Sequence, residues 1–473
     1  MIRVASERDR VNVARVYKAG QEHIFKWWNE LTEEQRRGLL EQVASIDFRL
    51  LGELARKMSA SRKTVIEDVR PAAVLRLPRT PEERRYMQRL AQRGERLLQA
   101  GKVAVVTVAG GQGSRMGLSA PKGTLPIGPV TGKTIFQFFA EKISALRARY
   151  HTFLPWFIMV SDATDAATRE FFDKHNNLGL ARGSVRFFKQ ASLPALDFRG
   201  RLILERKDRI FMSPNGHGGI LEALEREGVI DELTRTNIEY LFYFQIDNPA
   251  VKVCDPVLIG LCEERNADIA SKVIWKETPY ERLGVFVEME GRPHMIEYSE
   301  LPAEIAEKRD ASGALAFGAG SIAVHTFRVD FLARLMDEGV RLEYHIAKKA
   351  VPYIDRNGKR VFPTQPNAYK FERFIFDVLK FTDKLALLET SRREEFCPVK
   401  DREGPASLEG ARKRLSAVFA DWLAACNVEV PRDEEGFPKA NIEISPLFAL
   451  DPKELRAQIK PGVTVTGDLC LEP

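Results

Sequence analysis

The sequence predicts an α/β protein with a mostly parallel central sheet flanked by helices. Three observations carry this. Between about residues 102 and 390, β-prone apolar runs alternate with helical stretches, the clearest runs being Lys102–Ala109, Trp156–Ser161, Val185–Lys189 and Tyr240–Ile246. Thr134–Arg147 repeats Ile135, Phe138, Phe139, Ile143 and Leu146 at helical spacing, the pattern of a helix packed on a sheet. The first run stops at Ala109 and gives way to Gly110-Gly111-Gln112-Gly113-Ser114-Arg115-Met116-Gly117, at the carboxyl end of a strand, where such sheets hold ligands.

Three consecutive parts follow from the pattern. Residues 1–101 are helical, with capping boxes at Thr32-Glu33-Glu34-Gln35 and Thr80-Pro81-Glu82-Glu83 and with Gly101 closing the second helix. They carry no evident chemistry and are expected to serve packing. Residues 102–395 form the α/β part. Residues 396–473 form a small final part, with a helix around Leu408–Ala425 and a β-prone tail, Val463–Leu471.

Composition narrows the class. At 473 residues with 44% hydrophobic and 29% charged, the chain can bury a large core. Lysine and arginine number 72 against 66 acidic residues, a net charge of +6, which suits an anionic small ligand and calls for no nucleic acid. No run of 18 apolar residues exists, so no membrane span is expected, and MIRVASERDRVNV has no apolar signal core. Cys254, Cys262, Cys397, Cys426 and Cys470 lack CxxC spacing and read as reduced thiols in a cytoplasmic protein.

The glycine loop is the main chemical signal. Without Cβ atoms its backbone can approach a ligand closely, and Arg115 and Lys122 add two cations suited to a polyphosphate. Spacing excludes two familiar loops. The third glycine of a dinucleotide fingerprint falls on Met116, and the first glycine of a P-loop ending Gly132-Lys133-Thr134 falls on Ile127. Asp247, ending the run Tyr240–Ile246, can either hold Mg²⁺ or close a local turn. Asp377 is open between a second ligand and a structural role.

AGGQGSRMG…PKG resembles the nucleotide-binding loop of the UDP-sugar pyrophosphorylases, most closely the eukaryotic-type UDP-N-acetylhexosamine pyrophosphorylases. The likeness runs from about residue 100 to about 450, through WFIMVSDATDAATREFFDKHNNLGL, FFKQASLPA, MSPNGHGG, QIDNPAVKVCDP, IEYSE, FIFD and EEFCPVK. It implies a nucleotide-diphospho-sugar transferase-like fold with a small C-terminal α+β domain. It also implies a reversible, Mg²⁺-dependent uridylyl transfer from UTP to N-acetylglucosamine-1-phosphate, with oligomeric state open. In that reading Arg115, Lys122 and Lys400 are catalytic and Asp247 holds the metal. Val108, Ala109, Gly110, Gly111, Gln190, Gly216 and Lys370 bind the nucleotide, and His217, Glu297, Tyr298, Phe374 and Phe376 meet the sugar. By themselves Phe374 and Phe376 alternate like strand residues.

Two departures concern the sugar. His217 stands where the N-acetylhexosamine enzymes tend to carry asparagine, so its GHG turn is similar to the UDP-glucose and broad UDP-sugar enzymes. Gly318 and Ser321 likewise stand where relatives tend to have asparagines. The alternatives are therefore a glucose-1-phosphate or broad-specificity enzyme, and, on the same fold, a non-catalytic nucleotide-sugar-binding protein.

Overall fold

Val103–Val108, with five of its six residues buried, reads VAVVTV because a parallel strand covered on both faces needs apolar side chains throughout. In the computed structural model, which describes residues 1–59, 68–113, 117, 120–460 and 462–473, this strand lies inside a large mixed sheet. Among the described residues the sheet has ten strands. In chain order they are β1 (Val69–Pro71), β2 (Val103–Val108), β3 (Trp156–Val160), β4 (Val185–Lys189) and β5 (Tyr240–Gln245). Then come β6 (Ile269–Trp275), β7 (Val285–Met289), β8 (Arg292–Ile296), β9 (Ala319–Arg328) and β10 (Leu385–Glu389). β2 pairs in parallel with β5, from Val103↔Tyr240 to Val108↔Gln245, and with β3, which pairs in parallel with β4. β9 runs antiparallel to both β5 and β6, and β10 runs parallel to β6. The carboxyl ends of β2, β3, β5, β6 and β10 therefore share one edge.

The four runs named from sequence fall on β2, β3, β4 and β5 to within a residue at either end. The helix expected over Thr134–Arg147 is α2, Ile135–Tyr150; Thr134 caps it by accepting from the Gln137 N–H, and it buries Phe136, Phe138, Phe139 and Ile143. Thr80 heads α1 (Pro81–Gln99) with a complete capping box. α1 crosses α3 (Pro256–Glu264) backbone against backbone. A Cβ on Gly94 would lie 2.0 Å from the Pro256 carbonyl oxygen, and one on Gly260 1.9 Å from that of Leu90. α4 (Leu408–Ala425) follows, and Ile442–Ile444 pairs with Leu469–Leu471, the ordered strand within the β-prone tail. Buried Glu443 accepts from the Val130 and Thr131 amides and the Thr131 hydroxyl, tying that strand to the turn before α2.

By contact the chain divides into two units, each stitched from separate stretches. The larger spans Glu67–Lys189, Ile220–Val340 and Val378–Pro473; the smaller spans Met1–Ile66, Gln190–Gly219 and Arg341–Asp377. The sheet belongs to the larger unit. In the smaller, helices at 7–18, 33–45 and 48–59 share a core with Leu196, Leu204, Ile210 and Phe371. A short ladder there pairs His345–Lys349 with Ala368–Glu372 and the latter with Leu196–Asp197.

Candidate functional site

In the larger unit the glycine loop leaves β2 at buried Ala109 and Gly110 and reaches exposed Gly111. Ser161, just beyond β3, donates its hydroxyl to the Gly110 carbonyl (2.8 Å). The returning limb is held by the Gly113 N–H on the Ala120 carbonyl and the Lys122 N–H on the Gly111 carbonyl, both 3.3 Å. Gly123 is fixed by packing, since a Cβ there would stand 2.2 Å from the Phe136 ring. Arg115 lies outside the described residues.

Three residues far apart in sequence meet at this edge. Lys122 Nζ stands 3.8 Å and Lys400 Nζ 3.9 Å from Asp247 Oδ2. The Lys122 ammonium donates to the Val399 carbonyl (3.2 Å), and the Val399 N–H donates to the Asp247 carbonyl (2.7 Å). The lysines thus neutralise the carboxylate without direct hydrogen bonds to it, and the cluster carries one excess positive charge. Among the described residues no three His, Cys, Asp or Glu side chains gather as a metal site. A single carboxylate is nonetheless what Mg²⁺ uses when substrate phosphates and water supply its other ligands, so Asp247 fits such an ion.

Glu297 and Tyr298 follow β8. The Glu297 carbonyl accepts from the Glu300 and Leu301 amides, and the Tyr298 ring is exposed. β7 places them beside the Gly318–Ser321 stretch: Val285 pairs with both Ile296 and Gly320, and the Ser321 N–H donates to the Gly284 carbonyl (2.8 Å). A Cβ on Gly318 would be 2.3 Å from Trp275 Nε1, so the indole fills the space a side chain at 318 would need. The indole is pinned by its N–H on the Leu315 carbonyl (3.1 Å) and by the Arg76 guanidinium 3.6 Å over its ring.

In the smaller unit the Asn215–Gly219 turn lies directly on Arg373–Phe374. The Arg373 N–H donates to the Asn215 carbonyl (2.7 Å) and the Gly218 N–H to the Arg373 carbonyl (2.8 Å). Gly216 has φ +84°, and Cβ atoms on Gly216 or Gly218 would fall 2.4 and 2.6 Å from that backbone. His217 stacks on Phe374 (5.3 Å, 29°), which stacks on Phe376 (5.0 Å, 25°). The Ile375 N–H donates to His217 Nδ1 (3.2 Å), which puts the neutral ring's proton on Nε2. The ring is therefore held in place. Phe374 and Phe376 are not alternating strand residues, since the ladder ends at Glu372 and a 3₁₀ turn starts at Ile375. Asp377 is buried and accepts from His345 Nε2 (2.7 Å), an arrangement that suits its structural alternative. Gln190 is buried; Lys370 lies 5.0 Å from the Phe211 ring centroid, and its burial lowers its pKa.

Sequence reading missed Asn248, Lys272, Trp275, His345 and Glu395. One signal was available: Lys272 interrupts the apolar strand IASKVIW, where a charge demands a buried partner.

The family model described as UTP–glucose-1-phosphate uridylyltransferase matches residues 54–405. The chain belongs to this family. It is accordingly a nucleotidyltransferase. The UDP-N-acetylhexosamine pyrophosphorylase-like protein 1 of Homo sapiens is 36% identical over 489 residues, covering 97% of this chain and 96% of that protein. The UDP-N-acetylglucosamine pyrophosphorylase of Saccharomyces cerevisiae is 34% identical over 428 residues, covering 86% and 89%. Among solved structures, the uridine diphosphate N-acetylglucosamine pyrophosphorylase of Trypanosoma brucei matches with TM-score 0.80 at 26% identity, covering 96% and 95%. No helix among the described residues is long and apolar enough to cross a membrane.

Proposed function

We infer that this chain joins N-acetylglucosamine-1-phosphate to UTP, forming UDP-N-acetylglucosamine and pyrophosphate, reversibly and with Mg²⁺. The observation that carries the reading is the convergence of Lys122, Asp247 and Lys400 at the sheet edge where the glycine loop emerges. An oxygen of the sugar phosphate attacks the α-phosphorus of UTP; a new P–O bond forms as the bond to pyrophosphate breaks. The attacking group is already anionic, so alignment and charge neutralisation do the work and no protein nucleophile is needed. Lys122, with Arg115 on the same loop, stabilises charge building on the triphosphate. Lys400 steadies the phosphate beside Asp247. Mg²⁺ bound at Asp247 would supply further charge neutralisation between phosphate oxygens. The other contacts are those that the resemblance implies, with Gln190 reading the uracil edge and Glu297 and Tyr298 reading the sugar.

The choice of N-acetyl sugar rests on the relatives whose names carry it. His217 favours a second reading of measurable use of glucose-1-phosphate, since an imidazole replaces the family's amide near the hexose. The scattered thiols support a cytoplasmic setting. The experiment is pyrophosphate release on mixing the protein with UTP, Mg²⁺ and N-acetylglucosamine-1-phosphate. Release in equal amount with UDP-N-acetylglucosamine is expected; tight nucleotide-sugar binding with no release would make the chain a binding protein instead.

A further inference from the structure

Beneath Asp247 and Lys400 lies a buried polar network that nothing above uses. Lys272, in the middle of β6, is 0% exposed and pairs with Asp255 Oδ2 (2.7 Å) and with the Glu395 carboxylate. Glu395 also accepts from the Thr390 hydroxyl. Burial would raise the Asp255 carboxyl, but Lys252 and Lys272 outweigh it and hold it below the usual carboxylate range. Every charge in the network is therefore matched, which a buried ion cluster requires if it is not to destabilise the fold.

Asn248 connects this network to the site. Its Nδ2 donates to the Glu395 carbonyl (2.7 Å) and its Oδ1 accepts from the Cys397 N–H (2.9 Å), with the side chain 4% exposed. With the Val399 N–H on the Asp247 carbonyl, three hydrogen bonds zip the end of β5 to residues 395–399. Lys400 is the next residue. Lys142 secures the following turn, donating to the carbonyls of Pro249 (2.7 Å) and Val251 (2.8 Å).

We propose that Asn248, seated on the Lys272–Glu395 pair, is a positioning residue that sets Lys400 and Asp247 in register for uridylyl transfer. This rests on the reading that Asp247 and Lys400 carry that transfer. The amide touches no reacting atom; it fixes the distance between two segments that supply groups of opposite charge. Displacement of such a group by about 1 Å can cost on the order of a hundredfold in rate.

The test is a double-mutant cycle with Asn248→Ala and Lys400→Ala, read as kcat for pyrophosphate release and KM for UTP. Hydrogen exchange of the Glu395–Lys400 peptide is followed in parallel. Asn248→Ala is expected to lower kcat about tenfold to a hundredfold, to leave KM within about threefold, and to speed exchange of that peptide. In the Lys400→Ala background the same change should cost less than about threefold, because its target is gone. Equal losses in both backgrounds, or an unchanged kcat in folded Asn248→Ala, overturn the proposal while leaving the site intact. Wild-type kcat in Lys400→Ala overturns the reading of the site, and the proposal with it. Should Asn248→Ala not fold, Asn248→Ser and Glu395→Gln pass through the same cycle; failure of all three to fold assigns the network to folding alone.

Discussion

The Lys122 ammonium serves two chain segments at once, donating to the Val399 carbonyl while facing Asp247. Lys122→Ala should therefore lower kcat by roughly 10²–10³, the usual cost of one well-placed charge-stabilising donor. Circular dichroism and steady-state pyrophosphate release check that the fold survives and turnover does not. Asp247→Asn should be crippled even at saturating Mg²⁺, as a titration of rate against Mg²⁺ would show. At His217, an imidazole stands where the resemblance implies contact with the sugar. His217→Asn should shift the ratio of catalytic efficiencies toward the N-acetyl sugar several-fold, as expected for one hydrogen bond of about 1 kcal/mol. Lys142 yields a pH prediction. Burial lowers its pKa from 10.5 to about 7. Between those values the unfolded chain holds a proton that the native chain has released, so this residue's contribution makes stability rise with pH; below about pH 7 both forms are protonated and the burial cost is fully present. The Tm of Lys142→Met minus that of wild type should accordingly be more positive at about pH 6.5 than at about pH 9.5.

Helix termini show how far sequence reaches at the scale of elements. The boxes at Thr32 and Thr80 form as the spacing requires, because a capping box is satisfied within four residues. The α1–α3 crossing was not legible, because Gly94 and Gly260 acquire their meaning only from each other's helix. Gly94→Ala should destabilise by about 1–3 kcal/mol, the range for overpacking, with little room to relax against the Pro256 carbonyl. Gly38, on an exposed helix face with nothing within 4 Å of a Cβ, is the control. Gly38→Ala should stabilise by about 0.5–1 kcal/mol, and denaturant unfolding of both variants decides the sign. Gly318 belongs with Gly94: its missing side chain reads as a lost sugar contact in sequence, yet Trp275 occupies that space, a neighbour 43 residues away. Phe374 and Phe376 misled for a related reason, since a period of two over three residues also fits the entry to a 3₁₀ turn.

Across the whole molecule, the α/β class and the parallel core were legible because buried parallel strands must be apolar at every position. The interleaving of the two units was not, since no local pattern marks where Gln190–Gly219 and Arg341–Asp377 join the N-terminal helices in one core. Lys122, Asp247 and Lys400 were each legible as candidates, but only the sheet's connectivity brings both ammonium groups within 4 Å of one Asp247 oxygen. That cluster in a member of this family is the basis for assigning uridylyl transfer, and the sugar remains the sharpest part of the claim. The most direct measurement is kcat/KM for N-acetylglucosamine-1-phosphate and for glucose-1-phosphate, each with UTP and Mg²⁺. Pyrophosphate release with both sugars and the higher value for the N-acetyl sugar are expected; activity on glucose-1-phosphate alone would overturn the assignment.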